Sequence, residues 1–369
     1  MNGGQIIAHI LLNNRVRHLF TLCGGHIGPI YVEAARAGMQ VWDVRHEASA
    51  VFAADAVSRI TGIPGVATVT AGPGVTNAIT AVKNAQMAQS SVLLLGGATA
   101  TMLRNKGALQ DIDQLSLLRS AVKNQNRVNR LRELAPALAI ALKTARDNVP
   151  GPVFLECPVD LLYPEATVRE WYGLNKERVS GWMEKLMRWY LRRHVKRLFA
   201  GVENVDIDLP FVPEPVIPPP RAADLKSVIQ ALRSAERPVM LLGSGAVLKP
   251  SFAPRLAEAV QYLGIPVYLS GMARGLVGRS NGIQFHHHRK EALREADLIL
   301  LAGVPCDFRL NYGRNLNRRA RKIAVSRSRQ ELSRNIRPTL ALRADPGAFL
   351  IELEKTVPTL PGWEAWKKT

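Results

Sequence analysis

The chain has 369 residues, of which 47% are hydrophobic and 21% charged, and its formal net charge is +19. That composition excludes a disordered or fibrous chain and suits two globular domains of ordinary size. Cys23, Cys157 and Cys306 lie far apart, with no second Cys or His at metal-ligand spacing. A disulfide framework and a zinc site are therefore not expected, and all three read as reduced core thiols. No apolar stretch reaches the roughly 18–20 residues that span a bilayer. The opening "MNGGQIIAHILLNNRVRHLF" is amphipathic without the shape of a signal peptide, so the chain is expected to begin almost inside a folded domain, with no anchor of its own. The positive charge gathers in "KLMRWYLRRHVKR" and "GRNLNRRARK". Neither sits in a nucleic-acid-binding motif, so no nucleic acid partner is expected, whereas acidic ligands and anionic lipid both fit.

Residues 1–165 alternate two patterns. "HLFTLCG", "VWDVR", "GVATVTAG", "SVLLLGG" and "GPVFLECP" are short apolar runs ending in turn residues. Between them lie amphipathic stretches such as "EASAVFAADAVSRI" and "TNAITAVKNAQMAQ". Continuous apolar strands interleaved with helices predict a doubly wound, mainly parallel α/β sheet. Ligands of such sheets sit at the carboxyl edge of the strands.

Residues 166–220 break the rhythm with an amphipathic helix and the proline-rich "LPFVPEPVIPPP", which reads as a linker. In "GWMEKLMRWYLRRHVKRLF" (181–199), helical spacing puts Met183, Leu186, Met187, Tyr190, Leu191, Val195 and Leu198 on one stripe. Two readings stay open for it: a linker helix packed on its own domain, or contact with a membrane surface. Residues 221–357 resume the α/β pattern with "RPVMLLGSGA", "IPVYLSGMARG", "ADLILLAGVP" and "KIAVSR", predicting a second doubly wound domain. Residues 358–369 look like the start of a further linker.

Several local patterns carry chemistry or turn geometry. In "VRHEASAV", Glu47 stands where a strand stops and a helix starts, as a helix opener or as a reactive carboxylate. In "AGPGVTN" (71–77), glycines let backbone approach a ligand and Pro73 sets the turn. His26 in "CGGHIG" reads on its own as a surface loop residue. "LLGSGA" (241–246) is an incomplete dinucleotide fingerprint. "HHH" (286–288) has no further ligand at matching spacing and reads as a polar loop, so no metal site is expected.

Taken together, "RHEASAVFAADAVSRITG", "TAGPGVTNAITAVKNAQMAQSSVLLLGG", "GALQDIDQ" and "GPVFLECPVD" resemble the pyrimidine-binding domain of thiamine-diphosphate enzymes. "RPVMLLGSGA", "GMARGLVG" and "ADLILLAG" resemble the central domain of the same family. The resemblance covers nearly the whole chain and is nearest to the acetolactate synthase-like and 2-hydroxyacyl-CoA lyase branch. It implies that Glu47 hydrogen-bonds N1′ of the cofactor's aminopyrimidine and favours the imino tautomer that activates the thiazolium. It places Gly24, Gly25, Gly72, Pro73 and Asn77 around that pyrimidine, and His26 and Gln110 near the substrate. For the central domain it implies an adenine nucleotide, FAD or coenzyme A, with Gly243, Gly245, Arg274 and Arg327 as candidate contacts. Relatives often carry an acidic motif where this chain has "SRSRQE", and arginines at 327 and 329 suit the phosphorylated nucleotide of coenzyme A better than FAD.

The resemblance further implies a third domain, in which a Gly-Asp-Gly motif and a later Asn hold Mg²⁺ and the diphosphate. The nearest pattern, "ADPGAF" (344–349), has no such Asn. The lone chain is therefore expected to bind thiamine diphosphate weakly and to be inactive until a homodimer or a complementing full-length chain completes the site. Two functional readings stay open: a carbon–carbon lyase or ligase acting on an acyl-CoA or a 2-oxo acid, and a non-catalytic nucleotide- or membrane-binding subunit. The resemblance implies placement at the endoplasmic reticulum membrane; without it the chain reads as cytoplasmic.

Overall fold

The computed structural model describes residues 1–175, 181–206, 212–213, 215–217, 219–279 and 281–368. The chain divides into two compact units, Met1–Pro215 and Val216–Thr369. Residues 166–206 thus belong to the first unit. The division falls inside the proline-rich run, part of which lies outside the described residues.

Among the described residues of the first unit, β1 (His18–Thr21), β2 (Gln40–Asp43), β3 (Gly65–Val69), β4 (Val92–Ala98), β5 (Asn124–Arg127) and β6 (Val153–Pro158) form one parallel sheet in the order β2-β1-β3-β4-β6-β5. Its helices are α1 (Gly3–Asn13), α2 (Gly28–Arg36), α3 (Glu47–Thr61), α4 (Pro73–Met87), α5 (Gln114–Leu118), α6 (Leu134–Arg146), α7 (Val159–Leu162), α8 (Glu165–Trp171) and α9 (Trp182–Phe199). Alternate side chains of β4 enter opposite cores: Leu93 and Leu95 meet Ile7, Ile30 and Leu138, while Val92 and Leu94 meet Val51, Ala81 and Phe154. Both faces are covered, which is why the strands read as unbroken apolar runs.

The second unit repeats the plan. β7 (Pro238–Leu242), β8 (Val267–Leu269), β9 (Leu298–Ala302), β10 (Arg321–Ser326) and β11 (Leu340–Arg343) form a parallel sheet in the order β11-β10-β9-β7-β8. α10 (Ala222–Arg233), α11 (Ala253–Leu263), α12 (Arg289–Glu295), α13 (Arg329–Leu332) and α14 (Pro346–Thr356) cover it. Two doubly wound α/β units are thus present, as the pattern predicted. Each sheet also gains an edge strand that the apolar pattern did not show, β5 and β11. Edge strands are half solvated, and "NQNR" carries no apolar signal at all.

Two expectations change in the fold. Cys157 and Cys306 are buried, but Cys23 is exposed, its thiol 3.6 Å from Asp43. The loop after β1 turns back toward the surface there, so Cys23 is not a core thiol. The single stripe predicted for α9 also divides. Leu191, Val195, Leu198 and Phe199 pack into the core of the first unit, whereas Met183, Leu186, Met187 and Tyr190 are exposed.

Candidate active site

The chain order of the first sheet reverses direction between β1 and β3, and the loops leaving their carboxyl ends meet there. This is the switch point at which open α/β sheets take their ligands. Glu47 arrives from the neighbouring β2 as the first residue of α3 and is only 6% exposed. It does not cap that helix. His46 does, its Nδ1 accepting from the Ala48 N–H at 3.1 Å. The Glu47 carboxylate faces the next turn instead: Oε2 accepts from Asn77 Nδ2 at 3.0 Å. Oε1 lies 3.5 Å from where a Cβ on Gly74 would stand, and the same Cβ would come within 2.9 Å of Thr70 Cγ2. A buried carboxylate with one oxygen tied and the other against a side-chain-free position can serve a ligand edge that donates a hydrogen bond.

The turn that carries Gly72, Pro73 and Asn77 is held from behind. Gly72 has φ +63°, and its N–H donates to Gln114 Oε1 at 2.9 Å. Gln114 Nε2 donates to the Gly97 carbonyl at 3.1 Å and to Glu156 Oε2 at 3.0 Å. Glu156 is 1% exposed and pairs through Oε1 with Arg127 Nε from the polar edge strand. A buried carboxylate is tolerable only with such partners. Gln110, at φ +62°, lies with its Cβ and carbonyl 3.0 Å from where a Cβ on Gly72 would be. Thr101, Arg104, Gln110, Gln114, Arg127 and Glu156 line a cavity of about 60 Å³ beside the turn.

His26 completes the group. Gly24 brings its loop against Thr70, to whose Cβ a Gly24 Cβ would stand 2.5 Å away, while Gly25 faces open space. His26 Nδ1 is 3.4 Å from Thr70 Oγ1. Partial burial lowers its pKa, with a side-chain hydrogen bond to Gln110 opposing the shift, so the ring favours the neutral form. The structure therefore gathers Glu47, Asn77, Gly72, His26 and Gln110 through successive contacts at one sheet edge. Gln114, Glu156 and Arg127 are the residues that the sequence reading missed. Their signal was present as a lone Glu inside the buried run "VFLECP" and a second Gln in "GALQDIDQ".

The second unit treats its candidate residues differently. The N–H groups of Gly243 and Gly245 donate to the carbonyls of Ala302 and Gly303 at 3.0 and 3.1 Å. A Cβ on either residue would fall within 2.8 Å of Gly303. These glycines let two of the unit's own loops touch, and their donors are already satisfied. Arg327 pairs with Asp345 at 2.7 Å, and both side chains are largely buried. Asp345 in turn caps α14 through the Ala348 N–H at 2.7 Å. Two nitrogens of the Arg327 guanidinium, Nε and Nη2, thus face that carboxylate. Arg274 and Arg329 are exposed, as are His286, His287 and His288. Among the described residues no group of three or more His, Cys, Asp or Glu could hold a metal ion.

Residues 1–117 match the family described as "Thiamine pyrophosphate enzyme, N-terminal TPP binding domain", and residues 225–353 match its central domain. A 2-hydroxyacyl-CoA lyase 2 of Xenopus laevis is 49% identical over 362 residues, 95% of this chain and 56% of the relative. Its Homo sapiens counterpart is 45% identical over 361 residues, 95% of this chain and 56% of that protein. A probable acetolactate synthase of Mycobacterium bovis is 30% identical over 313 residues, 85% of this chain and 50% of that protein. The chain thus spans little more than half the length of the curated relatives it matches. The two parallel α/β units agree with the matches: the chain belongs to the thiamine pyrophosphate enzyme family and carries its N-terminal and central domains.

Proposed function

We propose that this chain supplies the pyrimidine-side half of an enzyme that makes or breaks a carbon–carbon bond beside a carbonyl, with a 2-hydroxyacyl-CoA as its substrate. One observation carries the reading: Glu47 is buried, relieved of capping duty by His46, and held by Asn77 with Oε1 facing Gly74. The substrate class is favoured by 45–49% identity to 2-hydroxyacyl-CoA lyases against 30% to an acetolactate synthase.

The residues fit the aminopyrimidine end of thiamine diphosphate. Glu47 Oε1 would hold the proton shared with N1′, and Asn77 would keep the carboxylate aimed. A Cβ at Gly72 or Gly74 would press on Gln110 or Thr70, so glycine at both positions keeps the turn close beside the carboxylate. The carbanion chemistry is supplied by thiamine diphosphate when it is bound. His26, whose pKa is lowered by partial burial, would offer a ring that favours the neutral form and could accept a proton on the substrate side. Gln114, Glu156 and Arg127 keep the turn in place. No residue of this chain is assigned to Mg²⁺. If coenzyme A binds the second unit, Arg274 and Arg329 are two exposed cations that could meet its phosphates.

The test is complementation. The chain is mixed with a full-length 2-hydroxyacyl-CoA lyase whose own matching glutamate has been changed to Gln. Wild-type chain should restore cleavage of a 2-hydroxyacyl-CoA, and Glu47→Gln chain should not. Restoration with pyruvate alone would move the substrate to the acetolactate branch. No restoration, together with no heat on titration with thiamine diphosphate and Mg²⁺, would overturn the catalytic reading in favour of a non-catalytic subunit.

A further inference from the structure

We infer that the N-terminal half of α9 docks on an anionic lipid surface. The helix has separate faces for separate jobs. Its core face is Leu191, Val195, Leu198 and Phe199, with Arg188 Nη2 donating to the Leu174 carbonyl at 2.9 Å. On the turns before that anchor, six large side chains stay in solvent: Trp182, Met183, Leu186, Met187, Trp189 and Tyr190, from 50% exposed for Tyr190 to 74% for Trp182. Scattered apolar residues on a surface need no partner, but six within nine residues of one helix form a patch that does.

The cations choose the occupant. Lys185, Arg192 and Lys196 follow at seven- and four-residue spacing and form a stripe beside the apolar patch. Arg193 and Arg197 lie at its edge, and the Arg193 guanidinium sits 5.5 Å over the Trp189 ring. Five exposed cations face a single acid, Glu184, on the same helix. A second copy of the chain seated on this face would bring like charges together, and protein interface cores are depleted of charge. An anionic headgroup layer answers both features: acyl boundary for Trp, Met, Leu and Tyr, phosphate and carboxylate for Lys and Arg. Among the described residues no helix is long and apolar enough to cross a membrane, so α9 would lie on the surface. Its core side is bonded to the candidate site region, since His194 Nε2 is 2.8 Å from Thr101 Oγ1 and Thr101 lines the cavity. The inference is independent of the catalytic proposal.

Flotation of the full chain with vesicles tests it, using phosphatidylcholine alone and phosphatidylcholine mixed with phosphatidylserine. The wild type should float with the mixed vesicles and be released by high salt. Leu186→Glu/Met187→Glu should lower the bound fraction about tenfold or more, and so should Arg192→Glu/Lys196→Glu. Unchanged circular dichroism and melting would certify the fold of both variants. Absence of binding to the mixed vesicles, or wild-type binding by both folded variants, would overturn the inference. So would a lipid-free dimer that Leu186→Glu/Met187→Glu dissociates, because the face would then belong to a second copy.

Discussion

At the β1/β3 junction of the first unit, Gly24 and Gly74 stand against the side chains of Thr70 and Glu47, while Gly72 stands against both backbone and Cβ of Gln110. At the β7/β9 junction of the second unit, Gly243, Gly245, Gly303 and Gly347 stand mostly against backbone, that of Gly303, Gly245 and Ala246. Both sheets reverse their strand order at these junctions, so both have the crevice in which α/β folds take ligands. The first leaves its crevice lined by polar side chains with a cavity beside it. The second closes the loops after its strands upon each other. A glycine motif at a switch point therefore marks a close approach, and only the neighbouring atoms tell whether a ligand or the chain itself approaches.

The largest effect expected from this contrast is at Glu47. Glu47→Gln should reduce turnover in the complemented assembly by about 10²–10⁴-fold, the range for losing a placed proton-transfer group, with an unchanged melting curve. A variant that keeps full turnover would reduce the first junction to a structural turn like the second.

The buried ion pairs come next. Glu156→Leu strands Arg127 and Gln114, and Arg327→Leu strands Asp345; each should cost about 3–5 kcal/mol of unfolding free energy by denaturant titration. The two should differ in function, because only Glu156 supports the turn at Gly72. Arg327→Leu should leave binding of a thiamine diphosphate analogue untouched, and Glu156→Leu should weaken it.

Glycine substitutions sharpen the comparison further. Gly303 has φ +67°, and an added Cβ would sit 2.4 Å from the Ala246 nitrogen. Gly303→Ala should destabilise by at least about 1–3 kcal/mol, the usual cost of a strained backbone position, because backbone cannot step aside. Gly74→Ala, at ordinary φ, meets the Thr70 methyl at 2.9 Å and Oε1 of Glu47 at 3.5 Å. Its loss should appear more in pyrimidine binding than in the melting temperature.

The smallest effect concerns pH. The His26 pKa is lowered in the folded state, so below the ordinary histidine value near 6.5 the unfolded chain binds the proton more readily. Stability supplied by neutral His26 is present above that pH and lost as pH falls through it toward the folded value. His26→Asn should flatten this acid-side decline in melting temperature. An identical pH profile would show that His26 is not held neutral between Thr70 and Gln110.

Glu47, Asn77 and the turn at Gly72 were singled out in the sequence through the family resemblance that their motifs carry; strand end, helix start and Gly-Pro-Gly by themselves also fit an ordinary helix opening and turn. The supporting residues were not. Arg127 and Glu156 are 29 residues apart and meet only because β5 pairs with β6 in a register that sets them side by side. Asn124–Arg127 has no apolar period, so nothing local marks it as a strand. Arg327 likewise meets Asp345, 18 residues on, through a contact that the sequence reading did not foresee.

By itself the sequence determined the two α/β units, because buried parallel strands and covering helices each need an apolar periodicity that appears in the residue order. It also determined that a carboxylate starts α3 and that a glycine turn opens α4. Tertiary structure alone decided which polar groups were still open to a ligand. His46 freed Glu47 from capping, Gly303 occupied the second glycine turn, and core packing at Leu191, Val195 and Leu198 turned the Trp- and Met-rich half of α9 into solvent. The reason is physical: each buried donor or acceptor must find a partner, and which partner it finds depends on strand register and loop contacts between residues distant in the chain.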